Sequence, residues 1–180
     1  MELRHFWWWV VLALVQFGIN ACFGCWDQER TALLQLKASM INYTDDDLNY
    51  FTSWDSANKE SDCCDWERVK CNITTGRVIQ LDLNYTISYG KRWYLNASLF
   101  LPFEELQRLY LVDNSILGWV PNEGFERFSA LSKLEVLDLS DNDFNNSILS
   151  SLSGIASLKK LDLSRNKLNG SIHIQGKPHG

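Results

Sequence analysis

The residues of this 180-residue chain whose type and spacing could do chemistry are five cysteines: Cys22, Cys25, Cys63, Cys64 and Cys71. Thiolates bind metals, act as nucleophiles or oxidise to disulfides, and their surroundings choose among these. Structural zinc prefers two cysteines with two residues between them, joined by more cysteines or histidines. Here Cys63 and Cys64 are adjacent, and the only histidines, His5, His173 and His179, sit near the chain ends. No Ser-His-Asp or Cys-His arrangement can assemble within a fold from such positions. Asp45, Asp46 and Asp47 form the densest carboxylate run. Consecutive carboxylates read as a solvated loop or helix start, not as a paired acid and base. No glycine-rich phosphate loop is present. The chain is therefore expected to be no enzyme, to hold no metal or cofactor, and to use its cysteines as disulfides.

The start of the chain agrees with an oxidising destination. Arg4 precedes an apolar run over residues 6–15, shorter than the roughly 20 residues a membrane span needs. Cys22 and Gly24 are small enough to flank a signal cleavage site, so residues 1–24 are read as a secretory signal. Cleavage after Gly24 removes Cys22 and leaves Cys25, Cys63, Cys64 and Cys71, an even number whose spacing leaves three connectivities open. Six Asn-x-Ser/Thr triplets begin at Asn42, Asn72, Asn84, Asn96, Asn145 and Asn169. Glycans are expected on all except Asn84, which falls on a predicted strand face. A net charge of −5 argues against nucleic acid as a partner. No segment after Cys25 approaches the length of a membrane span.

The elements that position these groups come from a repeat. Residues 134–142 read LEVLDLSDN and residues 158–166 read LKKLDLSRN, with weaker copies at 106–114 (LQRLYLVDN) and 78–86 (VIQLDLNYT). The starts are 28, 28 and 24 residues apart, and a fixed period of this size means stacked units. In each LxL the two apolar side chains point one way and the residue between them points the other. Leu137, Leu139, Leu161 and Leu163 are thus predicted to face a core, and Asp138 and Asp162 solvent. Asn114, Asn142 and Asn166 close the motif and can tie together backbone groups in the turn, with Thr86 in that place in the first unit. Ile116, Phe144 and Leu168, then Val120, Ile148 and Ile172, recur on the returning half, as do Phe100, Phe128 and Leu152 and Phe103, Leu131 and Ile155. These are predicted core positions on irregular or 3₁₀-like backbone.

Ahead of the repeats, residues 25–77 form a non-repeating cap. Asp27 is expected to cap a helix with Leu33, Leu36 and Met40 on one face, and Trp54 and Trp66 are expected to pack in the cap core. A stack of strands needs such a cover over its exposed end. The string C-W-x-x-E-R-x-A-L-L-x-L-K from Cys25, Trp54, C-C-x-W-x-x-V-x-C from Cys63, and G-R-V-x-x-L-x-L from Gly76 resembles the plant-type N-terminal cap of leucine-rich-repeat receptors. With the LxxLxLxxN repeats it covers nearly all of the chain after residue 24. The resemblance implies an α/β solenoid: a leucine-rich-repeat right-handed superhelix of short parallel strands with a disulfide-bonded helical cap. It also implies Cys25 pairing with Cys63 and Cys64 with Cys71. Repeats are expected over residues 78–172, the last incomplete, followed by an irregular tail, 173–180, as in a truncated gene product.

The receptor-like proteins of this family imply an extracellular recognition module in defence or development. It would meet a peptide, glycan or protein ligand on its concave face, and a membrane receptor kinase would be its partner. Its location would be the apoplast, or the plasma membrane within a longer receptor. Outward strand positions are the expected contact residues: Arg108, Tyr110 and Val112; Val136, Asp138 and Ser140; Lys160, Asp162 and Arg165, with Gln80 and Asp82 before them. Tyr110, an aromatic where other units carry aspartate, is the expected anchor. The alternatives are a secreted protein similar to the polygalacturonase-inhibiting proteins, which the lack of any cysteine after Cys71 disfavours, and a product without independent activity.

Overall fold

The computed structural model describes residues 25–44, 50–58, 61–88, 90–122, 124–152 and 154–170. The expected signal, the carboxylate run at 45–47, Ile172 and the 173–180 tail lie outside them.

The cap opens with α1 (Asp27–Met40), which buries Leu33, Leu36 and Met40 completely on one face. Trp26, not Asp27, is its N-cap, and it makes no side-chain capping bond. Asp27 is the first helical residue, where its charge complements the helix N-terminus. Trp54 is fully buried, stacks on Trp66 at 5.9 Å between centroids and donates its indole N–H to Glu67 O at 2.8 Å. Disulfides join Cys25 to Cys63 and Cys64 to Cys71. Asp62 Oδ1 accepts from the backbone N–H groups of both Cys25 and Cys64, at 2.9 and 2.8 Å.

One five-stranded sheet follows: β1 (Val69–Cys71), β2 (Val78–Asp82), β4 (Arg108–Tyr110), β6 (Val136–Asp138) and β7 (Lys160–Asp162), in that order. β1 is antiparallel to β2 and every later pairing is parallel. The repeat motif sets the register, with Leu81, Leu109, Leu137 and Leu161 aligned across the sheet. A second, two-stranded parallel sheet pairs β3 (Trp93–Leu95) with β5 (Ile116–Trp119). The expected irregular return is therefore partly extended, and in a later unit it is helical as α2 (Ser147–Leu152). Ile116, Ile148, Phe100, Phe103, Phe128 and Phe144 are core residues on it. Phe128 meets both Phe100 and Trp119 edge-on, and Trp119 stacks on Phe144.

The asparagines form a ladder. Asn142 Oδ1 accepts from Asn114 N and Ile116 N, while its Nδ2 donates to Leu111 O, Leu139 O and Ser140 O. Asn114 serves Thr86 and Ile87 in the same way, and Asn166 serves Phe144. The residue before each rung (Tyr85, Asp113, Asp141 or Arg165) has a left-handed φ of 50° to 57°. That turns the chain so the next side chain enters the stack.

A buried ion pair clamps cap to repeats. Arg77 Nε donates to Glu29 Oε1 at 2.9 Å, Val78 N donates to Glu29 Oε2 at 3.1 Å, and the Arg77 guanidinium lies 4.3 Å from the Trp26 ring centroid. Glu29 is wholly buried, and desolvation pushes its carboxyl above the ordinary value. At the other end Leu161 departs from its expected place: it is 39% exposed, because no strand beyond β7 covers it among the described residues.

Candidate functional site

The strand face turned away from the core carries two straight rows of side chains. Register aligns Lys70, Gln80, Arg108, Val136 and Lys160 in the first, and Asp82, Tyr110, Asp138 and Asp162 in the second. Partners in register share a face, so each row is continuous across the strands. Arg108 and Lys160 are exposed; Tyr110, Val136, Asp138 and Asp162 are half-buried. The two rows lie one leucine layer apart, about 6.7 Å along each strand.

The aspartates are held in place. Asp82, Asp138 and Asp162 each accept, through Oδ1, the backbone N–H two residues on, from Asn84, Ser140 and Ser164. Ser164 thereby holds the Asp162 carboxyl below its ordinary pKa, first through its hydroxyl and then through its backbone N–H.

Two of the expected contact residues are not on this open face. Val112 is 9% exposed; its N–H donates to Asn84 Oδ1 at 2.7 Å. Ser140 is 5% exposed and gives its hydroxyl to Asp138 Oδ1 at 2.7 Å. Beyond the second leucine the chain curls toward the asparagine ladder, so strict alternation ends there. Arg165 sits apart from the rows as well, in the following turn, where it ion-pairs with Asp141. That pair lines a groove of about 330 Å³ with Gly90, Arg92, Asp113 and Asp143. Asp143 in turn bridges Arg92 at 3.4 Å and Lys167 at 2.8 Å. The Arg165 guanidinium lowers the Asp141 pKa.

Sequence reasoning missed Lys70 and this groove. Lys70 lies in the cap motif, and only the antiparallel pairing of β1 brings it into the first row. The alternation of Val69, Lys70 and Cys71 was the available signal.

Short parallel strands stepping through an asparagine ladder, with a disulfide-bonded helical cap over the first, define a leucine-rich-repeat protein. Residues 27–72 match the leucine rich repeat N-terminal domain, and residues 104–168 match the leucine rich repeat. Cuscuta receptor 1 of Solanum lycopersicum is 44% identical over 142 residues, 79% of this chain and 12% of that protein. Receptor-like protein 9a of Arabidopsis thaliana is 41% identical over 168 residues, 93% of this chain and 17% of that one. The chain thus spans less than a fifth of these relatives' length. Among solved structures, the BIR2 ectodomain from Arabidopsis thaliana aligns with a TM-score of 0.61 at 30% identity, over 81% of this chain and 70% of that one. The Arabidopsis receptor kinase HAESA ectodomain, in complex with an IDA peptide hormone ligand, aligns at 0.57 and 25% identity, over 79% and 21%. The chain belongs to the plant leucine-rich-repeat receptor-like family.

Proposed function

We propose that this chain is part of an extracellular recognition module at the plant cell surface, taking a peptide, glycan or protein ligand on the open strand face and acting with a membrane receptor kinase. It binds without catalysing. The observation that carries this reading is the pair of side-chain rows, an uncovered surface on a scaffold locked by disulfides, asparagines and phenylalanines. The HAESA ectodomain's peptide ligand supports a peptide among the three ligand types. No helix among the described residues is long and apolar enough to cross a membrane.

On this reading residues 1–24 are the secretory signal, 25–77 the cap, 78–172 the repeats and 173–180 a tail. Asn42, Asn72, Asn96, Asn145 and Asn169 carry glycans. Asn72, Asn96 and Asn145 accept the backbone N–H two residues on through Oδ1, which keeps Nδ2 available. Asn84 differs: its Oδ1 accepts from Val112 N, and the hydroxyl-bearing residue of its triplet, Thr86, is wholly buried.

The test is a binder selected against the secreted chain and then titrated on variants. Tyr110→Ala and Asp138→Ala should each weaken it about tenfold or more, as central anchors do. Exposed residues off this face, such as Ile73→Ala, should leave it unchanged. Binders that ignore every open-face variant would remove that face from the reading.

A further inference from the structure

The lysines and arginines divide unevenly. Arg4, Lys59 and Lys177 lie outside the described residues. Of the others, all but three are engaged by a neighbouring carboxylate, carbonyl or other group. The three exceptions among the described residues are Lys70, Arg108 and Lys160. All are exposed, and none of the three side chains makes a hydrogen bond or ion pair among the described residues, although the Lys160 backbone N–H donates to Glu135 O. Lys160 comes near enough to Asp162 to help lower its pKa, without pairing.

These three cations occupy one cross-strand row, on the first, third and fifth strands of the sheet, with Gln80 and Val136 between them. Neighbouring strands are about 4.8 Å apart, so the cations recur about every 9.6 Å. An extended β-peptide does not match that repeat, because its side chains alternate faces every residue. A polyproline II peptide does. It has three residues per turn and rises about 3.1 Å per residue, so every third side chain returns to the same face after about 9.3 Å.

We propose that this row is a track for an acidic peptide in polyproline II conformation, with a carboxylate at every third residue seated on Lys70, Arg108 and Lys160 in turn. The proposal rests on the recognition reading above and names its ligand class. Val136 and Tyr110 supply apolar contact for the residues between the carboxylates, as aromatic-lined grooves do for proline-rich segments. The acidic row, Asp82, Asp138 and Asp162, bounds the track one leucine layer away and repels a shifted register. Seven residues span the three cations.

The experiment uses the secreted full chain and three seven-residue peptides of identical length: Glu-Pro-Pro-Glu-Pro-Pro-Glu, its permutation Glu-Glu-Glu-Pro-Pro-Pro-Pro, and Lys-Pro-Pro-Lys-Pro-Pro-Lys. Titration by fluorescence anisotropy should show the spaced acidic peptide binding at least fivefold more tightly than the permutation, and weakening with salt. Lys70→Gln, Arg108→Gln and Lys160→Gln should each weaken it about two- to fivefold, as expected for exposed ion pairs. Lys159→Gln, beside the row but paired with Glu135, should not. Circular dichroism of each variant separates loss of binding from loss of fold. Equal binding of the permuted peptide, or unchanged binding by the triple variant, would overturn the track. So would stronger binding of a hexagalacturonate than of any peptide. If only the lysine peptide binds, and Asp138→Ala abolishes it, the track falls while recognition by the open face stands. If no peptide binds, the track falls, and the selected-binder titration judges recognition separately.

Discussion

At the scale of the residue, the asparagine rungs carry more of the architecture than their number suggests. Asn142 gathers two N–H groups and three carbonyls from two successive units, at 5% exposure. Alanine there leaves those groups buried without partners, and each such group costs about 1–3 kcal/mol. Asn142→Ala should therefore lower unfolding stability by about 3 kcal/mol or more in urea titration; a change under about 0.5 kcal/mol would show that water replaces the rung. Asp141, next to it, tests electrostatics in the groove. Its pKa is lowered by Arg165, so its contribution is present above the ordinary carboxylate pKa and disappears as pH falls through the folded value. The urea midpoint of the parent should accordingly fall more steeply below pH 4 than that of Arg165→Gln; superimposed profiles would count against the pair.

At the scale of the element, the cap is held by two disulfides and one buried ion pair. Cys25 and Cys63 are 38 residues apart and Cys64 and Cys71 are 7 apart. Loop-closure entropy then assigns about 4 kcal/mol to the first bridge and about 2 kcal/mol to the second. Paired serine variants should rank in that order by denaturant midpoint. Glu29 behaves oppositely to Asp141. Burial raises its pKa in spite of Val78 and Arg77, so its contribution is full below the ordinary value of 4.5 and is lost as pH rises through the folded one. Glu29→Gln should flatten that decline. Glu29→Ala leaves Arg77 its pairing with Glu104 at 3.2 Å but removes the buried acceptor of Arg77 Nε and Val78 N, and should cost about 1–3 kcal/mol.

At the scale of the whole molecule, stability should grade along the stack, because each unit is supported only by its neighbours. Leu137 is wholly buried between flanking strands, whereas Leu161, its register partner, is 39% exposed. Leu137→Ala should cost about 2–5 kcal/mol, and Leu161→Ala less than about 1 kcal/mol. Hydrogen exchange should be slowest at β4 and β6 and fastest at β7. Uniform protection from β2 to β7 would argue that the units melt as one body.

Much of this was legible in the sequence, because a repeat states its own geometry. The LxL spacing placed Leu81, Leu109, Leu137 and Leu161 in one register, the shared phase of Asn114, Asn142 and Asn166 marked the ladder, and three- and four-residue spacing put Leu33, Leu36 and Met40 on one helix face. Each follows from local period alone. What needed the tertiary structure is whatever depends on contacts between distant segments. Only the antiparallel pairing of β1 with β2 brings Lys70 into line with Arg108 and Lys160. Only the turn after each strand buries Val112 and Ser140 and carries Arg165 to Asp141. Only the absence of a covering strand among the described residues exposes Leu161, although its local pattern is the same as that of buried Leu137. Periodicity fixes which way a side chain points from its own backbone; what lies opposite is decided by the rest of the chain.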